Sequence, residues 1–236
     1  MARVTAIRRY PVKAMEGESL ASVAVDRRGL VGDRGLAVLD ADGMFAAGKR
    51  GSRWMPHEEV LAYAARTVDD AVVVSRGDRA WSAGDPALDA ELSAAAGEPL
   101  RVVAEPADAE RPFFDSSPVS VVGTATLDWC RTELGVDADP RRLRVNLVIE
   151  TDEPFVEETW IGSALVAGAA RLRATKRNAR CRVIDLAQNG VTETARFLKP
   201  LGERRDACVA VYCEVVEPGE IRLGDPVLPP RRPVRG

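Results

Sequence analysis

The sequence predicts a β-rich α+β fold, and three observations predict it. Short apolar runs separated by turn signals fill the first hundred residues. Helical spacing is confined to a few short segments, and a polar, Pro-containing stretch from Glu105 to Pro112 precedes a second strand series. The length of 236 residues suits one large β domain or two small ones with a real buried core.

In chain order, the run from Val4 to Tyr10 is broken by Pro11, Leu20 to Val25 alternates, and Gly35 to Asp40 stops at the turn Asp40-Ala41-Asp42-Gly43. Leu61 to Arg66 and Ala71 to Ser75 continue the series, with Asp69-Asp70 and Gly77-Asp78 as turns, which is a meander or barrel pattern. Asp85 to Ala95 then has helical spacing, with Asp85 as N-cap, Pro86 at the first helical position and Gly97 as the stop. Arg101 to Ala104 is a strand. The stretch Glu105 to Pro112 after it is the best candidate boundary, or a lid over a site. Downstream, Val119 to Val122 is a strand, Thr124 to Leu134 an amphipathic helix ending at Gly135, and Arg144 to Glu150, Trp160 to Leu165 and Ala170 to Ala174 are strands. Gly190 to Leu201 fits no single class. Cys208 to Val216 and Ile221 to Leu228 form a strand pair joined by Glu217-Pro218-Gly219-Glu220, and Pro229 to Gly236 is a loose tail.

Composition narrows the function. The 46% hydrophobic and 29% charged content excludes a disordered or collagen-like chain. With Lys+Arg 33 against Asp+Glu 36 and a net charge of -3, a dedicated nucleic-acid binder is not expected. The N-terminus has no apolar signal region, and no run approaches the ~18 apolar residues of a membrane span, so a cytoplasmic protein without a membrane partner is expected. In that compartment Cys130, Cys181, Cys208 and Cys213 are not expected to form structural disulfides. They contain no C-x-x-C and His57 is the lone histidine, which argues against a Cys/His zinc site. A plant-type iron–sulfur pattern, G-x-G-x-x-G, Walker A and H-E-x-x-H are all absent from the sequence.

Cys181 stands out because Lys176, Arg177, Arg180 and Arg182 surround it in sequence. Neighbouring cations favour a thiolate, the form that attacks electrophiles or binds a soft metal. The alternative is a small buried hydrophobe in a strand whose arginines face solvent. Cys130, Cys208 and Cys213 sit in apolar patterns and read as core. Cations also recur beside turns, at Lys13, Arg34, Lys49-Arg50 and Arg142-Leu143-Arg144. Strand-end residues converge on one rim of a barrel, as an anionic, phosphate-bearing ligand requires, although each alone reads equally as a solvated surface charge.

Seven ordered strings carry a resemblance: Tyr10-Pro11-Val12-Lys13, Gly29-Leu30-Val31-Gly32-Asp33-Arg34, Asp115-x-x-Pro118, Arg142-x-Arg144-x-Asn146, Trp160-Ile161-Gly162, Arg180-Cys181 and Gly219 to Val227. Together they resemble the MOSC superfamily, the molybdenum-cofactor sulfurase C-terminal domain, preceded by its N-terminal β-barrel partner. The resemblance runs from about Val4 to Val227 and is similar to the mitochondrial amidoxime-reducing component and its bacterial relatives.

The resemblance implies a pterin-based molybdenum cofactor between two domains, with Cys181 as thiolate ligand to molybdenum. Lys13, Arg34, Arg144 and Asn146 would hold its phosphate and pterin, Arg180 would join them, and Thr126 would take the place of a family serine that contacts the cofactor. Asp185 is a candidate proton carrier, with turn capping as the alternative. The implied activity is two-electron reduction of N-hydroxylated or N-oxygenated small molecules, fed by a separate donor such as a ferredoxin or flavin reductase; pyridoxal phosphate is not expected. The tail arginines Arg231, Arg232 and Arg235 would dock an acidic donor or solubilise the chain. Two other readings stay open: a sulfur carrier or transferase bearing a persulfide on Cys181, and a cofactor-binding protein without turnover. The expected architecture is two mostly antiparallel barrel-like units with a few helices and the site in the cleft between them. The expected units are an N-terminal one at 1–104, a MOSC one at 105–228 and a tail at 229–236.

Overall fold

The computed structural model describes residues 2–109, 112–191 and 193–230. Its strands, in chain order, begin with β1 (Val4–Arg9), β2 (Glu18–Ser19), β3 (Ser22–Asp26), β4 (Gly29–Leu30), β5 (Leu36–Leu39), β6 (Phe45–Ala47), β7 (Trp54–Pro56), β8 (Ala64–Val68), β9 (Ala71–Arg76), β10 (Arg79–Ser82) and β11 (Arg101–Ala104). They continue with β12 (Val119–Gly123), β13 (Leu147–Ile149), β14 (Ala164–Ala167), β15 (Ala170–Ala179), β16 (Cys208–Glu217), β17 (Gly219–Arg222) and β18 (Val227–Leu228). The helices are α1 (Pro86–Ala96), α2 (Thr124–Leu134), α3 (Pro140–Leu143) and α4 (Leu198–Arg205). The fold is the expected β-rich α+β class.

One eight-stranded sheet, in the order β18-β14-β15-β16-β12-β13-β1-β2, forms the larger unit, antiparallel except for the β12–β13 pair. The other sheets are β11-β5-β6-β7, β10-β9-β8 and β17-β3-β4. Strands β1 to β4 therefore pair with partners from the second half of the chain: β1 lies beside β13 and β3 beside β17. A cut at residue 104 is consequently not a cut between sheets. One apolar cluster fills the space between the large sheet and β3-β4-β17, around Ile7, Val121, Leu172 and Ile221. A second, around Met15, Leu61, Val74 and Leu92, belongs to the N-terminal sheets and α1, and a third seats α2 and α4 through Leu127, Phe197 and Leu201.

Local signals place the first two helices as expected. Asp85 accepts a hydrogen bond from the Ala87 N–H, Pro86 begins α1, and Gly97 ends it at φ +76°, a backbone state in which a Cβ is strained. Gly135 ends α2 in the same way.

Several segments differ from the sequence reading. Leu61 lies in a 3-10 turn, Glu58–Ala62, and the strand starts only at Ala64. Arg144 is not in a strand but is the left-handed residue that ends α3, and β13 covers Leu147–Ile149 alone. Trp160 closes a 3-10 turn, Val156–Trp160, and β14 follows it. β16 does not pair with the strands after it; it lies between β15 and β12, while β17 crosses to β3. The short turn Glu217-Pro218 therefore hands the chain from one sheet to another. The tail arginines Arg231, Arg232 and Arg235 fall outside the described residues. Among the described residues no helix is long and apolar enough to cross a membrane.

Candidate functional site

A cavity of about 140 Å³ opens where the N-terminal sheets meet the large sheet, lined by Leu61 of the second apolar cluster and by Leu143 and Ile184 of the third. Five cationic side chains, Lys13, Arg34, Lys49, Arg144 and Arg180, line it with one carboxylate, Asp115, and one thiol, Cys181.

Backbone hydrogen bonds bring the first two cations together: Lys13 N–H donates to the Leu36 carbonyl at 2.8 Å and Arg34 N–H to the Tyr10 carbonyl at 2.7 Å. Arg34 (φ +50°), Arg144 (φ +53°) and Ala14 (φ +71°), all cavity residues, occupy the left-handed region. Each such non-glycine residue costs about 1 kcal/mol or more, a cost that concentrates at functional sites. Gly48 also lines the cavity, and a Cβ there would meet the Leu186 and Leu61 methyls at 2.6 and 2.9 Å.

The two arginines lie over the buried Tyr10 ring, Arg34 at 4.9 Å and Arg144 at 4.5 Å from its centroid. Their partners differ. Arg34 bonds the Asp33 carboxylate and, at 3.1 Å, the Arg144 carbonyl; although burial opposes its charge, Asp33 and Tyr10 raise its pKa. Arg144 has no carboxylate partner among the described residues, and its Nη1 and Nη2 are buried without a hydrogen bond. Burial pushes its pKa down. Unpaired guanidinium N–H groups on a residue that lines a cavity are suited to donate to an anion.

Lys13 is buried and donates to the Phe113 carbonyl at 2.7 Å and to Asp115, whose other oxygen lies 2.5 Å from Lys49 Nζ. Burial lowers the Lys13 pKa to about 8 even though Asp115 works in the opposite direction. Burial would raise the Asp115 pKa, but Lys13 and Lys49 hold it well below the usual carboxylate range.

Cys181 precedes a 3-10 turn, Arg182–Asp185, and is half-buried with its thiol free. The sequence argument for its surroundings changes in detail. Of its four sequence-adjacent cations only Arg180 lines the cavity, donating to the Leu143 carbonyl. Arg182 pairs with Glu58 at 2.6 Å, and Arg177 with Asp206 at 3.0 Å and Glu158 at 3.3 Å. The cations that share the cavity with the thiol are instead Lys13, Arg34, Lys49 and Arg144, supplied by distant segments. Cys130 and Cys213 are core residues with pKa values pushed up to about 12 by burial, and Cys208 is buried too.

The structure thus brings Lys13, Arg34, Arg144, Asn146, Arg180 and Cys181 to one cavity and corrects two expectations. Thr126 is fully buried on α2, away from the cavity lining, and its hydroxyl accepts the Phe155 N–H at 2.7 Å. Asp185, the expected proton carrier, does not line this cavity. Its carboxylate accepts the Phe197 and Leu198 N–H groups at 2.7 and 2.8 Å and so caps α4. Asn146 lines the cavity but its amide is engaged, accepting from the Ser120 N–H and hydroxyl at 3.1 Å and donating to the Arg8 carbonyl at 3.2 Å. It joins β12 to β1 and sets the wall rather than presenting free hydrogen-bonding atoms. His57 lies 3.0 Å from Glu98 and does not line the cavity. No cluster of three or more His, Cys, Asp and Glu side chains able to hold a metal occurs among the described residues.

Sequence reasoning missed Ser120, Asn178 and Tyr212 as lining residues, assigned no role to Asp115, and counted Lys49 only among the turn-side cations that could converge on an anion. Lys49 and Asp115 had a signal, a cation beside Gly48 and a carboxylate in an ordered motif. Ser120, Asn178 and Tyr212 had none, because which face of a strand borders a cavity is set by the partner sheet.

The family model for the MOSC domain matches residues 108–228, and that for the MOSC N-terminal beta barrel domain matches residues 1–81. Molybdenum cofactor sulfurase of Danio rerio is 36% identical over 69 residues, which is 29% of this chain and 8% of that protein. Among solved structures, the YuaD protein from Bacillus subtilis is 15% identical with a TM-score of 0.49, over 96% of this chain and 93% of that one. YiiM from Geobacillus stearothermophilus is 16% identical with a TM-score of 0.37, over 50% and 57%.

Proposed function

The chain belongs to the MOSC domain family, linked to molybdenum-cofactor binding or sulfurase chemistry, and from that premise we propose a molybdenum-cofactor oxidoreductase that reduces N-hydroxylated or N-oxygenated compounds. The observation that carries the reading is one cavity holding both a half-buried free thiol, Cys181, and the two orphaned guanidinium nitrogens of Arg144. These residues fit a group with a phosphate at one end and a thiophilic metal at the other. When bound, that group supplies two-electron oxygen-atom transfer.

The chain's own contribution is binding and orientation. Arg144, with Arg34 and Lys13 beside it, receives the phosphate, and Arg180 adds charge next to the thiol. Cys181 supplies a soft thiolate ligand to the metal. Asn146 fixes β12 against β1 so that the wall does not shift when the anion arrives. The reaction takes its electrons from a separate donor, such as a ferredoxin or flavin reductase.

The test is molybdenum analysis with pterin detection on protein from a molybdate-supplied host, comparing wild type with Cys181→Ala. Near-stoichiometric molybdenum that falls in the variant supports the proposal. Cofactor-free wild type from a host that demonstrably makes the cofactor overturns it. That second result would favour a Cys181 persulfide carrier, a reading supported by the 36% identity over 69 residues to a protein named a sulfurase. Mass spectrometry of Cys181 would then detect the added sulfur.

A further inference from the structure

Besides its charged residues, the cavity is bordered by neutral polar side chains on three adjacent strands: Ser120 on β12, Tyr212 on β16 and Asn178 on β15. They form a row across the large sheet. Ser120 stands directly opposite Tyr212, Tyr212 opposite Lys176, and Asn178 follows two residues on, where the side-chain alternation returns to the same face. At Asn178 the ladder is irregular. The register slips between Arg177 and Ala179, and Ala210 on β16 takes φ +74°. Such a bulge re-aims a side chain and leaves it outside the regular pairing.

Asn178 is 2% exposed, and its Oδ1 is buried with no hydrogen-bond partner; no side-chain bond of its amide occurs among the described residues. Asn146, the other cavity asparagine, has both ends of its amide engaged. A buried amide with nothing to bond is destabilising, and a leucine of nearly the same size would fill the space without that cost. An asparagine kept there and turned to a cavity is explained by a ligand that completes it.

We propose that Asn178 is the anchor of a second, neutral subsite of this cavity, which takes an uncharged group carrying a donor and an acceptor side by side, of the carboxamide type. The amide can give one hydrogen bond and accept another from such an edge at once, and it carries no charge to pair with an ion. The subsite lies three residues before Cys181 in the chain, on the cavity that holds the thiol. It therefore selects which molecules reach that thiol. The inference rests on the reading that this cavity is the binding site, though not on which cofactor fills its cationic end.

The experiment is calorimetric titration of the full chain with benzamide, a neutral donor–acceptor probe, and separately with sulfate, for wild type, Asn178→Leu and Asn178→Asp. Benzamide binding to wild type that weakens at least tenfold in Asn178→Leu, with sulfate affinity held within twofold, supports the proposal. Asn178→Asp keeps the shape but puts an acceptor where the benzamide carbonyl needs a donor, so it must weaken benzamide binding too and serves if the leucine variant does not fold. Benzamide that fails to bind wild type, or binds both variants as well as wild type, overturns the proposal and leaves water as what completes Asn178. Sulfate separates the two readings: its loss from wild type removes the anionic reading of the cationic wall, while a benzamide response to Asn178 still upholds the neutral subsite.

Discussion

Lys13→Met tests whether the cavity holds a buried cation whose charge it strains to keep. Lys13 is 7% exposed and its pKa falls from 10.5 to about 8. Below pH 8 the group is protonated folded and unfolded alike, and the full cost of burying the charge is present. Between pH 8 and 10.5 the folded protein releases a proton that the unfolded chain keeps, so wild type gains stability as pH rises. At ~1.4 kcal/mol per pKa unit, the gain is about 2.5 kcal/mol between pH 7 and pH 10. The methionine variant has no such gain. Its stability relative to wild type must therefore fall by about that amount over the window. Burial raises the pKa values of Tyr10, Tyr63 and Tyr212, which costs stability near and above pH 10 in both proteins, and this cancels in the difference. Asp115 stays ionised throughout and retains Lys49, so losing its lysine partner shifts the offset and not the slope. Urea unfolding at half-unit pH steps measures the difference. A difference flat across pH 7 to 10 would show that Asp115 and the Phe113 carbonyl fully compensate the burial, and would refute the reasoning.

Arg144→Met removes a buried, unpartnered guanidinium, so folding stability should hold or rise by up to about 2 kcal/mol while sulfate affinity drops tenfold or more; a large loss of stability would instead make Arg144 a structural strut. Asp185→Ala strips the cap of α4 and should cost about 1 kcal/mol, read as a lower urea midpoint, with molybdenum content unchanged; loss of molybdenum at full stability would return Asp185 to the site. Arg142 is buried and ties the segment after Cys181 to α3 through the carbonyls of Ile184, Leu186 and Glu193 at 3.1, 2.9 and 2.7 Å. Arg142→Met strands all three and should destabilise by about 3 to 5 kcal/mol, seen as a melting temperature lower by roughly 6 to 20 °C. A melting temperature within two degrees of wild type would show that water replaces the guanidinium.

What the sequence by itself determined was local. Helix α1 was legible to the residue at its caps, because Asp85, Pro86 and Gly97 act through bonds and dihedral angles within one turn. α2 was legible from its helical spacing and the Gly135 stop, β11 from a short apolar run, and the chemistry of the cationic wall from lysine and arginine beside Gly and Pro turns, which need no tertiary contact to be charged. The ordered strings then placed Lys13, Arg34, Arg144 and Cys181 in one site, and the cavity contains all four.

Only the tertiary structure decided which partners those residues have. Asp185 and Thr126 carry ordinary site chemistry, yet α4 and the Phe155 N–H, distant in sequence, had already engaged them. Arg182 and Arg177 sit beside Cys181 in sequence but turn to carboxylates elsewhere, and four of the five cations that share the thiol's cavity, all but Arg180, arrive from residues 13 to 144. The same holds for sheet membership: β1 and β3 look like the start of an N-terminal barrel, but they close the sheets of the second half. A strand's own pattern shows which residues alternate. Which sheet it completes, and so whether Ser120, Asn178 and Tyr212 face packing or an open cavity, depends on long-range pairing that no local propensity encodes.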